Sequence, residues 1–178
     1  MRIIGGQYKG RRIPVSKNLR ARPTTDFARE NLFNILSNQF DFEDCTVLDL
    51  FSGAGSISYE FVSRGAKETY LVEQDGYHFR FIKNVIEQIG FKNIYPVKGR
   101  AEVYLEKTKR KFDIIFADPP YDSRILPKLL PLVFQTEVLN ENGWFVLEHS
   151  DKYRFNEDKH FKELRCYGSV HFSIFVNR

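Results

Sequence analysis

The sequence of 178 residues lacks the features of membrane, secreted and zinc-binding proteins. It has no apolar run near the roughly 20 residues that span a bilayer. Its first residues lack the apolar core of a signal peptide. Its two cysteines, Cys45 and Cys166, are far apart and show no metal-ligand spacing. We therefore expect a cytoplasmic protein without membrane association or a structural metal, in which both cysteines are reduced residues of the core.

The sequence also contains no low-complexity tract, internal repeat or linker. A chain of this length most simply forms one domain, so we predict a single domain over residues 1–178, with a monomer as the default state. Serine–histidine–aspartate triads and phosphate-binding loops are absent as well. The histidines show neither ligand spacing nor a nucleophile partner, and we interpret them as surface or structural residues; they are His78, His149, His160 and His171.

The positive charge is concentrated at the N-terminus. Residues 1–25 contain seven lysines and arginines and no acidic residue, whereas residues 26–178 hold 20 basic and 23 acidic residues, a formal charge of −3. A basic segment on a neutral-to-acidic body is typical of proteins that bind a polyanion, and nucleic acid is the leading partner. A solvated basic tail is the alternative.

Apolar residues alternate with charge in this segment, and glycines interrupt it. Ile3, Ile13 and Val15 are among the apolar positions, and Gly5-Gly6 and Gly10 are the breaks. The pattern predicts a small β-hairpin. We therefore divide the domain into a basic arm at residues 1–22 and a main body at residues 23–178. The candidate nucleic-acid-binding residues of the arm and of the helix entrance after it are Arg2, Lys9, Arg11, Arg12, Arg20, Arg22, Thr24 and Arg29.

A strand, a glycine-rich turn and a helix follow one another at residues 46–65. The buried-strand run ends at Asp49-Leu50-Phe51, the turn is Ser52-Gly53-Ala54-Gly55, and Gly65 is placed to end the helix. This is the first unit of a nucleotide-binding sheet, in which glycines let the backbone approach a ligand closely. Ser58 replaces the third glycine of the dinucleotide fingerprint. Asp49 would repel a pyrophosphate but suits an ammonium group, which favours S-adenosylmethionine over NAD.

The next strand ends at Glu73, about 20 residues beyond the glycine turn. An acidic residue at this spacing is placed to accept hydrogen bonds from ribose hydroxyls. Asp75 is interpreted as the cap of the following helix, and the turn after the third strand would border the adenine. The predicted cofactor-binding residues are Asp49, Phe51, Gly53, Ala54, Gly55, Glu73, Gln74, Ala101 and Asp118.

The fourth strand ends in the sequence Asp118-Pro119-Pro120-Tyr121. Two prolines offer carbonyl acceptors and no N–H donors. With the adjacent carboxylate and aromatic ring they form a cup for a planar group that carries an NH₂, in which Asp118 and a proline carbonyl accept the amine hydrogens and Tyr121 stacks on the ring. The alternative is a strand-ending turn with a chance aromatic. We predict these four residues to be catalytic.

The alternation of strands and helices continues to a C-terminal pair of strands joined at Gly168-Ser169. It predicts an α/β fold, a Rossmann-like doubly wound sheet of seven mostly parallel strands with an antiparallel C-terminal hairpin. Ligands bind such sheets at the carboxyl ends of the strands where the strand order reverses, so the turns after strands one to four should converge on one site.

These motifs together resemble the class I S-adenosylmethionine-dependent methyltransferases. The N-terminal sequence up to Arg12, followed by Arg22-Pro23-Thr24-Thr25-Asp26 and Arg29-Glu30-Asn31, is similar to the RsmD family. The resemblance covers nearly the whole chain. It implies methylation of guanine N2 in small-subunit (16S) ribosomal RNA, with naked RNA or a small-subunit assembly intermediate as the partner. Family members usually carry Asp or Asn where this chain has Arg100, so the adenine amine is expected to bind Glu102 or a backbone carbonyl instead.

Three other interpretations remain open. The amine-binding cup also occurs in DNA adenine-N6 and protein glutamine-N5 methyltransferases. A non-catalytic RNA-binding assembly factor could retain the same sheet, although the intact Asp49 and Asp118 argue against it. An NAD-dependent enzyme is disfavoured by Asp49, Ser58 and the basic arm.

Overall fold

The computed structural model describes residues 1–15, 24–120 and 124–178. The seven strands are β1 (Thr46–Leu50), β2 (Glu68–Glu73), β3 (Ile94–Lys98), β4 (Phe112–Ala117), β5 (Leu139–His149), β6 (Phe161–Tyr167) and β7 (Val170–Val176). The five α-helices are α1 (Asp26–Gln39), α2 (Ser56–Ser63), α3 (Gly76–Ile89), α4 (Ala101–Lys107) and α5 (Leu126–Gln135). A single turn of 3₁₀ helix at Phe42–Asp44 precedes β1.

All seven strands pair into one sheet in the order β3-β2-β1-β4-β5-β7-β6. The pairs from β3 to β5 are parallel, and β7 is antiparallel to both β5 and β6. This confirms the predicted doubly wound sheet with an antiparallel C-terminal hairpin. The strand order reverses between β1 and β4, which places the crevice for a ligand at the carboxyl ends of these two strands.

Helices cover both faces of the sheet. Successive side chains of β1 point to opposite faces, so its adjacent apolar residues are buried on both. Val47 packs with Phe33 of α1 and Phe61 of α2 on one face. Leu48 packs with Leu105 of α4 and, on α5, Leu129 on the other. Helix α3 buries Ile82 and Val85 in a third cluster that includes Ile3 and Ile13 of the N-terminal arm. The arm is therefore part of the packed domain.

Local sequence signals set the starts and ends of the helices. Helix α1 begins where the Thr25 hydroxyl accepts a hydrogen bond from the Ala28 N–H, at 3.2 Å. Helix α3 begins where the Asp75 carboxylate accepts from the N–H groups of Tyr77 and His78, and it ends at Gly90 in the left-handed region. The Asp75 cap agrees with the sequence prediction.

Strand β5 spans Leu139–His149. Helix α5 continues through Pro131, with Pro127 accommodated in its first turn. One detail differs from the prediction that both cysteines lie in the core. Cys45 is buried but Cys166 is exposed, because it lies on the edge strand β6, where only one neighbouring strand protects it. Among the described residues, no helix is both long enough and apolar enough to cross a membrane.

Candidate active site

A cavity of about 450 Å³ opens at the carboxyl ends of β1, β2 and β4. It has the size expected of a small-molecule or cofactor site. Its wall contains residues from the turns after all four predicted strands, which confirms that these turns converge. The predicted residues that line it are Asp49, Phe51, Gly53, Ala54, Glu73, Gln74, Ala101, Asp118, Pro119 and Pro120.

Asp49 is buried in the wall of this cavity and is 1% exposed. The Ser58 hydroxyl donates a hydrogen bond of 2.5 Å to its Oδ2 atom. Burial raises the pKa of Asp49 to about 7, an increase that the bonds from Ser58 oppose and the charge of Glu73 adds to. A bound cation would stabilise the ionised form of this buried carboxyl group, because its charge would compensate for the hydration that burial removes.

Glu73 connects the second strand to the glycine turn. Its Oε2 atom accepts a hydrogen bond from the Gly53 N–H and its Oε1 atom one from the Asp75 N–H, both at 2.7 Å. Each carboxylate oxygen has two lone pairs, so each can accept a further bond from a ligand hydroxyl. The geometry is compatible with the predicted ribose contact, which stays a prediction.

The turn after β1 holds a strained residue at the edge of the cavity. Phe51 has φ of 62°, a value that costs a bulky residue free energy and is found most often at functional sites. Gly55 does not line the cavity, and the cofactor contact predicted for it stays a prediction. A Cβ atom at Gly55 would lie 2.5 Å from the Tyr59 ring, and the residue has φ of 83°. The turn therefore requires glycine at this position in order to fold.

Asp118, Pro119 and Pro120 line the cavity directly after β4. The Asp118 N–H donates to the Leu50 carbonyl at 3.4 Å, which ties the loop to the end of β1. Burial raises the pKa of Asp118 well above its usual range, and the charges of Glu148 and Asp49 raise it further. Tyr121 lies outside the described residues, and its stacking role stays a prediction.

The electrostatic character of the cavity selects among cofactors. Of the described residues that line it, five carry a carboxyl group and none is a lysine or arginine; the five are Asp49, Glu73, Asp75, Asp118 and Glu148. A pyrophosphate would be repelled by this set. A ligand with positive charge and ribose hydroxyls fits it, as S-adenosylmethionine does.

The turn after β3 contributes backbone to the site. Gly99 and Ala101 line the cavity, whereas the Arg100 and Glu102 side chains are absent from its wall. The Arg100 guanidinium forms an ion pair with the Glu102 carboxylate. Glu102 is therefore engaged elsewhere, which leaves a backbone carbonyl of this turn as the favoured acceptor for an adenine amine.

The N-terminal arm forms a hairpin, with an antiparallel bridge between Arg2 and Arg12. It docks on helix α2, whose Glu60 carboxylate accepts hydrogen bonds from the N–H groups of Ile4 and Gly5. A side chain at Gly6 would lie 1.8 Å from the Ser63 carbonyl, so only glycine allows this approach. The described cations of the arm that remain exposed are Arg2, Lys9, Arg11 and Arg12.

The prediction that Arg29 binds nucleic acid is wrong. Its side chain is 1% exposed, and it donates to the Arg2 carbonyl at 2.7 Å and to Asp26 at 2.9 Å. It also pairs with Glu60 at 3.5 Å. Arg29 therefore joins α1, α2 and the arm inside the protein. Arg20 and Arg22 lie outside the described residues.

Thr24 and Glu148 form a contact that the sequence did not reveal. Both line the cavity and both are buried. The Thr24 hydroxyl donates to Glu148 Oε2 at 2.7 Å across 124 positions of sequence. Thr24 is thus a buried residue of the pocket wall, whereas the described arm cations with which it was grouped are exposed. No role was predicted for Glu148, although an acidic residue at the end of a strand next to β4 was a usable signal.

Within residues 1–15, 24–120 and 124–178, no group of three or more histidine, cysteine, aspartate or glutamate side chains could hold a metal ion. His149 is buried, with its ring nitrogens 2.7 Å from the Ser150 carbonyl and the Ser173 hydroxyl. These contacts agree with the interpretation of His149 as a structural residue, whereas His78 is among the residues that line the cavity.

Comparisons with known proteins identify the family and relatives of this chain. The model of a family described as Conserved hypothetical protein 95 matches residues 1–176. Ribosomal RNA small subunit methyltransferase D of Escherichia coli K12 is 36% identical over 149 residues, which cover 83% of this chain and 71% of the relative. The protein of the same name from Buchnera aphidicola (subspecies Baizongia pistaciae) is 32% identical over 151 residues, 85% of this chain and 76% of the relative.

Similarity extends to solved structures. That of the Escherichia coli protein yhhF has a TM-score of 0.87 and is 28% identical in sequence. The alignment covers 100% of this chain and 98% of the other. The arm, the sheet and the C-terminal hairpin are therefore features that this chain shares along its whole length with a known fold.

Proposed function

The chain belongs to the family described as Conserved hypothetical protein 95, the RsmD family, and from this membership we propose that it methylates guanine N2 in small-subunit ribosomal RNA. The methyl donor is S-adenosylmethionine. The relatives at 32–36% identity that are named small subunit methyltransferases support the RNA substrate. Guanine and its N2 atom follow from the resemblance to the family. A ribosomal RNA substrate also places the protein in the cytoplasm.

One observation carries the proposal. The Asp118-Pro119-Pro120 loop faces the same cavity as Asp49 and Glu73. The residues suited to hold a planar amine are therefore next to the residues suited to hold a cationic nucleoside. A transfer reaction requires this proximity, because the reacting atoms must approach to about 3–3.5 Å in line.

S-adenosylmethionine, when bound, supplies an electrophilic methyl group on a positively charged sulfur. Asp49 would hold its amino group, and Glu73 would accept from its ribose hydroxyls. Asp118 and the Pro119 carbonyl would accept the two hydrogens of the guanine amine. The N2 lone pair is delocalised into the ring, so these two acceptors favour the more tetrahedral nitrogen that attacks the methyl carbon.

The balance of the reaction requires a proton to leave N2 as the nitrogen–carbon bond forms and the sulfur–carbon bond breaks. Asp118 contacts that nitrogen in the proposed arrangement. Its raised pKa makes its carboxylate a stronger proton acceptor than an ordinary aspartate. We therefore assign Asp118 both roles, orientation of the amine and acceptance of its proton.

The arm would bind RNA phosphates. Arg2, Lys9, Arg11 and Arg12 are exposed on one hairpin, and Arg2 pairs with Asp26 beside the cavity residue Thr25. Binding through phosphates gives an affinity that falls steeply with salt.

The test is incubation with a methyl-labelled donor and separated ribosomal RNAs, each naked or in its ribosomal subunit, followed by nucleoside mass spectrometry. The expected product is N2-methylguanosine in small-subunit RNA. Label in DNA adenine or in protein glutamine would identify the alternative methyltransferases. No donor binding in calorimetry would identify a non-catalytic RNA-binding protein.

A further inference from the structure

Two carboxyl groups lie side by side at the ends of β4 and β5. The last parallel pair of these strands is Ala117 with Leu147, so Asp118 and Glu148 occupy the next position of the same register. Neighbouring strands are about 4.8 Å apart, and residues at one register position face the same side of the sheet. Both side chains line the cavity, together with Pro119 and Pro120.

A hydrogen bond from Thr24 holds the Glu148 carboxylate in place. It is 3% exposed, and its Oε2 atom accepts a hydrogen bond from the buried Thr24 hydroxyl. Its charge raises the pKa of Asp118, which shows that the two groups are electrostatically close. Glu148 is therefore a buried acceptor of fixed orientation in the same cavity wall as the Asp118-Pro119-Pro120 loop.

The bases differ in the ring nitrogen next to the exocyclic amine, and the Glu148 carboxylate could distinguish them by this difference. Asp118 and the proline carbonyl can hold any exocyclic amine, so they do not choose between bases. In guanine the amine lies next to the N1–H group, a donor. In adenine and cytosine the amine lies next to an unprotonated ring nitrogen, an acceptor. An ionised carboxylate accepts hydrogen bonds and cannot donate them.

We propose that Glu148 is a specificity-determining residue that accepts the guanine N1–H while Asp118 holds the adjacent N2 amine. Adenine or cytosine in the same position would turn a ring-nitrogen lone pair towards the Glu148 carboxylate. Thr24 is the positioning residue, because its hydroxyl fixes the orientation of that carboxylate. The inference rests on the proposed methylation of guanine N2 and adds the residue that selects the base.

The experiment compares guanine with 2-aminopurine, which keeps the C2 amine but has an unprotonated N1. Either base is placed at the methylated position of the RNA by ligation, and kcat/KM for methyl transfer is measured. The wild-type protein should prefer guanine by about 100-fold, because the analogue turns the N1 lone pair towards the Glu148 carboxylate where guanine donates a hydrogen bond to it. The loss of the O6 atom contributes equally to every variant and cancels when their preferences are compared.

Glu148→Gln should reduce that preference to about 10-fold or less, since a neutral amide can rotate and donate to the unprotonated N1. Glu148→Asp keeps the charge and should retain more of the preference than Glu148→Gln. Glu141→Gln is the matched control, an identical change at an exposed position of the same strand, and it should leave the preference unchanged. Circular dichroism and donor affinity establish that each variant is folded.

An unchanged preference in Glu148→Gln would overturn the inference, because a purely structural role for Glu148 would lower both rates together. A wild-type protein that accepts both bases equally would overturn it as well. The failure of the proposed function is distinguishable, since in that case the wild-type protein would transfer no methyl group to guanine N2.

Discussion

The Ser58 hydroxyl of helix α2 donates a 2.5 Å hydrogen bond to the carboxylate of Asp49 in strand β1. Both side chains are buried. The serine occupies the position where a dinucleotide-binding turn carries its third glycine. It partly offsets the cost of burying Asp49, whose pKa is nevertheless raised to about 7. The first two predictions concern this pair.

Affinity for S-adenosylmethionine should increase as the pH rises through about 7. The bound amino group requires the ionised Asp49, and below this pH the cavity binds a proton instead. Ser58→Ala removes a bond that lowers the pKa of Asp49, so it should weaken binding at pH 7 by about tenfold and shift the profile to higher pH. Calorimetry from pH 6 to 8.5 measures both effects.

The control for this change is Ser37→Ala, which removes a serine hydroxyl from the exposed surface of α1. Its binding profile should follow that of the wild-type protein. Identical profiles for Ser58→Ala and the wild type would show that Asp49 does not control donor binding.

Stability of the ligand-free protein should depend on pH in the opposite direction. The pKa of Asp49 is about 7 in the folded protein and about 4 when unfolded, so the folded state binds more protons between these values. The contribution of Asp49 to the free energy of unfolding is complete below about pH 4, and it is lost as the pH rises through 7.

Asp49→Asn removes this titration, and it should raise the free energy of unfolding at pH 8 by about 2–4 kcal/mol while weakening donor binding. Urea denaturation at pH 5.5 and 8 tests the change. A variant that loses stability equally at both values would contradict the assignment, because burial would then not be the cost that Asp49 imposes.

Replacement of the exposed arm cations should weaken RNA binding without weakening the fold. Arg11→Gln with Arg12→Gln should lower RNA affinity and reduce the dependence of log affinity on log salt by about two. The melting temperature should stay within a few degrees of the wild-type value, since both side chains are exposed. Filter binding at several salt concentrations and thermal denaturation provide the two readouts.

Replacement of Arg29 should lower the stability of the protein more than its affinity for RNA, the reverse of the result expected for the arm cations. Arg29→Met removes one of the two arginines that pair with the buried Glu60, together with the bonds to the Arg2 carbonyl and Asp26, so the free energy of unfolding should fall by about 3–5 kcal/mol. RNA affinity measured on the fraction that remains folded should change less than for the arm variants. A loss of RNA affinity at unchanged stability would restore Arg29 to the RNA-binding surface.

Much of the fold followed from local patterns in the sequence. The glycine turn after Asp49 and the acidic end of β2 at Glu73 lie on adjacent strands, so their proximity could be predicted from strand order. The break at Asp118 was equally local. Each of these residues stands at a strand end, where a sheet fixes the position of a side chain almost independently of the rest of the chain.

The incorrect or missing predictions depend on contacts between distant segments. Arg29 has the sequence context of an exposed helix residue, and only the docked arm and Glu60 bury it. Thr24 meets Glu148 through the packing of the segment before α1 against β5. Phe51 was predicted by its position in the turn, but its positive φ is set by the loop as a whole.

The central claim is that Asp118 presents the guanine amine to the methyl donor in the cavity built around Asp49 and Glu73. Its most direct test is the single-turnover rate of methyl transfer to small-subunit ribosomal RNA by Asp118→Ala, with donor affinity measured on the same preparation. We expect the rate to fall by at least a thousandfold, because amine orientation and proton acceptance are lost together, while donor affinity stays within a few fold of the wild-type value. Substantial turnover by this variant would contradict the account.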